Sequence, residues 1–563
     1  MLKGSKNGSH PTSELPFLIA SDPGQAGHLS TCVVHGSIWP VGARKISPAL
    51  LIEGHPVGLV QLLPTASPCA ELTTEAARDR CVAIRTQLSQ ANLFGSPSAD
   101  PGSHKATTQQ ATTTWRVSPC PFYLSADQLQ FFTALGPQLL SFYRALNQLY
   151  SESVKGRQPA WVAASLDQGK PEALVQYSRM KRLRDELPAV IRPDVIPTED
   201  GMVITELDSV PGGIGLTACL TQIYDDLEDT HAGLVGGREG MVRGFARMLR
   251  AIQQQREGCI AILVSEESKD YRPEMSWLAA QLRKEGIAAW CIEPREVIFT
   301  EEGLRLRTDG KEYPIAVVYR FYELFDLLNI PKAELVQYAG KKDRVAITPP
   351  YKPALEEKSA FALLHHPILS RFWEQSLGSD CLRHLRTIMP KTWLLDPTPL
   401  PAIATIPNLH VGGHAVAQWT ALEGATQKER QLVIKPSGFS ELAWGSRGVS
   451  IGHDLSQAEW SQALRTALAA FPTTPYILQE FHKGRLFEMD FMDDDRQTLI
   501  RMSGRARLSP YYFVSEGTVE LAGILATVCP ADKKILHGMK DAIMVPCAVR
   551  SAGSSQRPLS IQQ

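Results

Sequence analysis

A chain of 563 residues is long enough for several domains at the usual ~150 residues each. Its 44% hydrophobic and 21% charged content predicts a sizeable core, and the formal net charge of −1 excludes a global field that would draw in nucleic acid or an anionic membrane. The ten cysteines are scattered without a CxxC pair, so neither a zinc site nor a redox dithiol is signalled, and they read as small core residues in a reducing cytosol. Met1 to Ser13 is polar and lacks an apolar signal core, and no apolar run approaches ~18 residues, so no membrane span is predicted and a cytoplasmic location is expected.

Residues 1–93 hold short apolar pieces such as Thr31 to Val34 and Val57 to Leu63, which predict a small β-rich region with a helix over Thr74 to Ala91. Cys32 and His35 could be imagined as a nucleophile and its base, but no local signature accompanies them and packing is the plainer account. Residues 94–114 are rich in Gly, Ser, Pro, Thr and Gln and read as a linker. Helical spacing returns from Ser125 to Tyr150, with Leu129, Phe132, Leu135, Leu139 and Phe142 on one stripe, and again from Glu172 to Leu187, which carries Lys181, Arg182 and Arg184.

The stretch Ala189 to Gly213 reads as two short strands. Pro197 to Gly201 supplies turn chemistry between them, and Pro211-Gly212-Gly213 ends the second. Side chains alternate along a strand, so Arg192 and Asp194 share one face, as do Glu206 and Asp208. With Arg192 opposite Glu206, all four point the same way. Three carboxylates beside one guanidinium suit a bound hard cation such as Mg²⁺ together with a phosphate. A solvated hairpin face with an ordinary ion pair fits the same letters. A helix is predicted from Leu216 to Asp229.

The continuous apolar run Cys259 to Val264 is consistent with a buried parallel strand. A helix over Tyr271 to Glu285, a strand over Ala288 to Ile292, a short hairpin near Gly303 and a strand over Ile315 to Tyr319 continue a β-α-β rhythm that predicts a doubly wound domain over about 258–345. It contains no G-x-G-x-x-G, so a dinucleotide is not indicated. Arg320, Tyr322, Glu323 and Asp326 follow its last strand, where ligands are often met. The segment Ile347 to Lys358 opens a helix through His365 and His366, whose adjacent positions do not share a helix face. Met389 to Leu395 is a further strand candidate.

Gln431 to Pro436 is a strand that ends in Lys435 and runs into a loop with Gly438, Gly445 and Gly448, after which Val449 to Gly452 is again strand-like. A lysine leaving a strand beside a glycine-rich loop can hold a triphosphate, because backbone N–H groups approach the oxygens and the ammonium offsets charge. This is not a Walker A loop. A glycine-rich surface hairpin with a solvated lysine fits equally. A helix follows over Leu455 to Phe471, then a strand over Tyr476 to Phe481 whose Glu480 suits a ribose hydroxyl. Phe487 to Phe491 and Leu499 to Met502 continue the sheet, with Arg505 and Arg507 on one strand face. Tyr511 to Ser515 reads as another strand, Leu521 to Val528 is apolar, and a last helix is expected near Asp532.

Taken together, the pieces resemble the ATP-grasp superfamily in its circularly permuted branch, typified by glutathionylspermidine synthase. The matching residues are Arg192-Pro193-Asp194, the turn Asp200-Gly201, Glu206-Leu207-Asp208, and later the Lys435-Pro436 strand with its glycine-rich loop. The likeness covers about 120–545, and Asp208 stands where that family carries asparagine. The resemblance implies a mixed α/β (α+β) chain. Its expected parts are a β-rich region (1–93), a linker (94–114), a helical part with the metal-binding hairpin (115–257), a pre-ATP-grasp-like α/β domain (258–400), a lid (401–490), a return to the core (491–550) and a flexible tail (551–563).

It further implies that Asp194, Glu206 and Asp208 hold one or two Mg²⁺ ions on ATP. Arg192 would stabilise the transferred phosphoryl group, and Lys435, with Lys391 as a weaker candidate, would contact phosphates. Gly438, Gly445 and Gly448 would form a closing flap, and Glu480 would sit near the adenosine. The implied activity is that of an ADP-forming carbon–nitrogen ligase that joins a small-molecule carboxylate to an amine through an acyl phosphate, with no nucleic-acid or membrane partner. A non-ligating ATP-binding protein in an assembly and an ATP-dependent phosphotransferase are the alternatives.

Overall fold

A computed structural model of the chain describes residues 72–94, 115–208, 210–227, 233–443, 445, 447–493, 496, 498–538 and 541–549. The β-rich region expected before residue 72, the pair Cys32 and His35, the linker from residue 95 and the tail from residue 551 lie outside these residues.

Thr73 caps α1 (Thr74–Gln90) by accepting the Ala76 N–H, and Cys81, Ile84 and Leu88 form its buried stripe. After β1 (Phe122–Leu124), α2 (Ala126–Val154) starts in a capping box: Ser125 Oγ accepts the Gln128 N–H, and the Gln128 side chain accepts the Ser125 N–H. Phe132, Leu135, Leu139 and Phe142 of the predicted stripe are fully buried. Two short helices, α3 (Ala160–Asp167) and α4 (Glu172–Ser178), follow. The helix expected to reach Leu187 stops at Ser178. Arg179 turns off to bind Asp167 and the Tyr150 hydroxyl, and Lys181–Leu183 make one 3-10 turn from which Arg182 pairs with Asp343.

The hairpin of β2 (Val190–Thr198) and β3 (Gly201–Asp208) leads into α5 (Ile214–Asp226), β4 (Gly233–Leu234) and α6 (Gly240–Gln253). The sequence reading has no helix at α6. Two glycines lower its propensity, but a side chain at Gly244 would collide with the Phe513 ring, so the helix is specified by close approach to the sheet.

Next come β5 (Cys259–Val264), α7 (Arg272–Lys284), β6 (Ala289–Ile292), β7 (Ile298–Phe299), β8 (Leu304–Thr308), β9 (Lys311–Phe321), α8 (Ala333–Lys341) and β10 (Ala346–Thr348). β5 pairs in parallel with β6 and β9, and β9 in parallel with β10, while β7, β8 and the start of β9 form an antiparallel edge. The apolar run of β5 serves two cores. Ile260, Ile262 and Val264 pack into the main core with α6 and α7, and Cys259, Ala261 and Leu263 into a second core with α8.

Helices α9 (Ala360–His365), α10 (Ser370–Leu377) and α11 (Ser379–Ile388) lead to a third sheet, ordered β11 (Thr392–Leu394), β16 (Tyr476–Glu480), β14 (Leu432–Pro436), β15 (Ser450–Ile451) and antiparallel throughout. It carries the ribbon β12 (His410–Val411) and β13 (His414–Ala415) in its first connection, and α12 (Gln457–Ala470) packs on it through Trp460 and Leu464.

The chain then returns to the main sheet with β17 (Leu486–Asp493), β18 (Thr498–Ser515), β19 (Thr518–Pro530) and β20 (Ile543–Val549). Among the described residues its order is β1-β20-β19-β18-β2-β3, with β17 on β18 and β4 on β20. Two expectations are corrected here. The strands read separately at Leu499 and Tyr511 are one strand, β18, because Pro510 falls beside a register shift at Tyr511/Tyr512 where the ladder is interrupted anyway. Among the described residues no helix forms near Asp532: residues 531–538 are turn and coil, and the chain re-enters the sheet as β20, buried between β1 and β19.

Candidate active site

β2 and β3 pair with Arg192 opposite Asp208 and Asp194 opposite Glu206. The register expected from the sequence has Arg192 opposite Glu206. The observed one is displaced by two residues, which keeps the face unchanged, so all four side chains project from the same side. Toward the turn the register shifts: Val195 opposes Ile204, and Thr205 is left as an extra residue. This bulge lets Ile204 and Glu206, two positions apart, face opposite sides. Val195 and Ile204 are fully buried in the core, while Asp194 and Glu206 line a cavity. The Thr205 carbonyl accepts Lys435 Nζ at 3.3 Å, and the same ammonium donates to Gln479 Oε1 at 2.8 Å. The end of β14 is thereby brought against the hairpin.

The charges on this face are already paired. Arg192 lies 2.8 Å from Asp208 and 3.4 Å from Asp194. Asp194 also accepts Arg507 Nη1 and Ser509 Oγ, each at 3.1 Å. Glu206 Oε1 meets Lys358 Nζ at 2.8 Å. Burial disfavours the charged form of Arg192, Asp194, Asp208, Lys358 and Lys435, and the neighbours outweigh it at only some of them. Arg192 is held well above its ordinary range by Asp194 and Asp208 despite burial, and Asp194 is held below the usual carboxylate range by Arg192 and Arg507. Asp208 is pushed up, by burial and by Glu206. Burial pulls Lys435 down to about 8, whereas Lys358 is raised by Glu206, Asp208 and Glu323.

The cavity measures about 1010 Å³. Its walls are the hairpin face, Lys435, Gln479 and Glu480 of the third sheet with the coil Phe481 to Gly484 that follows, Arg507 and Tyr511 of β18, Glu323 just past the carboxyl end of β9, Lys358, and the coil around Leu536. Glu480 belongs to this wall. Lys391 does not: its side chain is half exposed and its ammonium lies 3.3 Å from Glu480. Of the three loop glycines, Gly445 lines the cavity with φ of +61°. Gly438 and Gly448 are not in its lining: a side chain at Gly438 would meet the Glu356 carbonyl and one at Gly448 the Pro436 ring.

Sequence reasoning missed Lys358, Gln479 and Ser509. Lys358 follows a proline-rich stretch without a local motif, so only the tertiary fold reveals it. For Arg507 the signal was present, since Arg505 and Arg507 alternate on one face of β18. Arg505, however, is spent on the Gly484 and Ala531 carbonyls.

The expected magnesium set does not fit this arrangement. Asp194 is 6% exposed and its oxygens are taken by two guanidinium groups and a hydroxyl. Among the described residues no three Asp, Glu, His or Cys side chains converge as a metal set. Glu206 and Asp208 keep part of their surface toward the cavity, and each is held by a cation.

No protein-family model matches the sequence, and no curated protein matches it. Among described residues no helix is long and apolar enough to cross a membrane. Among solved structures, the glutathione synthetase-like effector GSS30 from Globodera pallida, in its apo form, is similar over 86% of this chain and 100% of its own, with a TM-score of 0.52 and 12% identity. A Methylobacillus flagellatus protein provisionally named a gamma-glutamylcysteine synthetase covers 74% of this chain and 87% of its own at 11% identity, and its TM-score of 0.35 carries no argument. At such identity the first likeness is one of architecture: the chain shares its mixed α/β fold with a glutathione synthetase-like protein.

Proposed function

We propose that the protein is an ATP-dependent ligase that joins a carboxylate to an amine through an acyl phosphate, on a circularly permuted ATP-grasp fold in which the hairpin precedes the lysine strand. The observation that carries this reading is the apposition, in one cavity, of the Arg192/Asp194/Glu206/Asp208 face with Lys435, which reaches the Thr205 carbonyl. The fold shared with GSS30, a protein named glutathione synthetase-like, supports it. A volume of about 1010 Å³ is at the top of the ~300–1,000 Å³ range of small-molecule sites, enough for a nucleotide and a second ligand.

In this scheme a carboxylate oxygen of the acid attacks the γ-phosphorus of ATP. The bond to the β–γ bridging oxygen breaks, and ADP leaves with the electron pair. The amine nitrogen then attacks the acyl carbon, the carbon–oxygen bond to phosphate breaks, and inorganic phosphate leaves as the amine gives up a proton. Arg192, which stays protonated, stabilises charge on the transferred group. Lys435 and Lys358 meet the phosphates, exchanging their present oxygen partners for phosphate oxygens. Glu480 lies toward the adenosine. The loop around Gly445 closes over the site and shields the acyl phosphate from water. No step is assigned to a metal ion.

A second reading, an ATP-binding protein that does not ligate, is favoured by the pairing of all three carboxylates with cations. ADP release measured across a panel of acids and amines separates the two. A ligase shows turnover that requires both substrates and is lost in Glu206→Ala and Lys435→Ala. Turnover that survives both substitutions sinks the assignment, and ATP binding without any acid-dependent ADP release favours the second reading.

A further inference from the structure

The tripeptide Glu356-Glu357-Lys358 sends three side chains to three different parts of the fold. Glu356 pairs with the fully buried Arg320 of β9, Lys358 pairs with Glu206 of the hairpin, and Glu357 turns to the root of the glycine-rich loop. Glu357 Oε1 lies 2.5 Å from Lys170 Nζ, and the two side chains are 2% and 0% exposed. Its other oxygen accepts the Ser437 hydroxyl and, at 3.1 Å, the Gly438 N–H. The Ser437 hydroxyl also accepts the Ser359 N–H, and the Ser437 N–H donates to the Pro475 carbonyl at 2.8 Å. The Lys170 ammonium stands 5.7 Å above the Phe439 ring. No Cβ fits at Gly438, because the Glu356 carbonyl occupies that space. Lys170 comes from the connection between α3 and α4, so the helical part and the loop root are tied through one carboxylate, and the neighbouring Lys358 reaches the hairpin.

Stability alone does not account for such a pair. Sealing two charges away from water costs desolvation, and well-packed apolar side chains of similar volume often hold a fold as well. What the pair does supply is a fixed direction: Lys435, two residues before Ser437, leaves its strand from an anchored point. We propose that Glu357 is a positioning residue of the active site, locked by Lys170, which pins Ser437 and Gly438 so that Lys435 meets the phosphates at a set distance from the hairpin and the loop moves only beyond Phe439. The phosphate half of this statement rests on the ligase reading. The anchoring half does not.

Glu357→Gln removes the charge, and Ser437→Ala removes one donor to Glu357 without stranding a buried charge, which keeps the test open should the first variant fold poorly. Amide hydrogen exchange in the nucleotide-free protein is expected to speed up at 437–439 by about tenfold or more in both variants, with little change in the distant main sheet. ATP affinity, titrated on the folded protein, is expected to fall about tenfold in Glu357→Gln and further in Lys435→Met. The double variant should bind no more weakly than Lys435→Met alone, because Glu357 acts through that lysine. A purely structural role would lower the melting temperature and leave affinity within about twofold, or give additive losses. Unchanged exchange at 437–439, unchanged affinity or additive losses each overturn the proposal. Should the wild type bind no ATP, the ligase reading fails and the exchange measurement alone decides the anchoring.

Discussion

Glu206 Oε1 and Lys358 Nζ lie 2.8 Å apart, joining the hairpin to the chain just ahead of α9 across the floor of the cavity. Lys358 is 13% exposed at its side chain and faces Glu206, Asp208 and Glu323, which together hold it protonated against burial. A triphosphate presents the same kind of charge, so the lysine can change partners without losing its ionised state. Lys358→Met is therefore expected to weaken ATP binding by about 2 kcal/mol, some thirtyfold, the usual worth of a charge-assisted hydrogen bond. Lys358→Arg should recover part of it. Calorimetric titration decides, and unchanged affinity in Lys358→Met would remove this residue from the nucleotide site.

Lys435 sets a pH dependence of the opposite kind. Burial holds it at about 8, so the free protein loses this charge as pH rises through that value. ATP prefers the charged form. Affinity should hold below about pH 8 and fall above it, by up to tenfold per pH unit. Stability runs the other way: between about 8 and the ordinary lysine value the native chain binds fewer protons than the unfolded one, so the Lys435 contribution to stability rises with pH. In Lys435→Met both trends should flatten. An affinity profile that stays level from pH 7 to 9.5 in the wild type would contradict the placement of this ammonium against phosphate.

The hairpin was legible because Pro197, Asp200 and Gly201 mark a turn between two apolar runs, and period-2 spacing sets Arg192 with Asp194 and Glu206 with Asp208. The shared face of all four depended on register, which the structure gives two residues away from the expected one. The bulge at Thr205 was not legible, since no glycine or proline announces it and it exists to send Ile204 inward and Glu206 outward. Lys358 and Gln479 were invisible for a similar reason: they meet Glu206 and Lys435 only through long-range folding. The glycine-rich loop was legible as a loop. Its division into an anchored Gly438 and an open Gly445 depends on the Glu356 carbonyl, which is remote in sequence. The continuity of β18 from Leu499 through Tyr511, and the strand β20 beyond the expected helix near Asp532, depend on pairing with β19, which is not local.

Glu274 ties α7 to the site. Its carboxylate accepts the Gly213 N–H at 2.7 Å and the Leu216 N–H at 2.9 Å at the start of α5, directly after the hairpin. Burial outweighs these donors and pushes the group up to about 7. A carboxyl raised in the folded state contributes stability that is present below its unfolded value near 4.5 and is lost as pH rises through about 7. The shift is worth on the order of 3 kcal/mol at most. Between pH 5 and 8 the wild-type melting temperature should fall more than that of Glu274→Gln, which cannot titrate. Parallel profiles for the two proteins would show that Glu274 is ionised throughout.

Two glycines at the cavity separate structural from functional strain. Gly213 starts α5 with φ of +88°, and a side chain there would strike the Tyr511 hydroxyl, which donates to the Gly212 carbonyl at 2.7 Å. Gly445 has φ of +61°, and an added methyl group there would meet nothing within 4 Å. Gly213→Ala should therefore cost about 2–4 kcal/mol, from the left-handed backbone together with the displaced hydrogen bond. Gly445→Ala should cost only about 1 kcal/mol from the backbone term. If the loop carrying Gly445 closes over ATP as the ligase reading proposes, its substitution should instead raise the KM for ATP while the melting temperature moves little. Thermal melts paired with ATP-dependence curves test both halves. Equal destabilisation by the two substitutions would mean that Tyr511 yields freely, and an unaltered KM in Gly445→Ala would remove that residue from the closing segment.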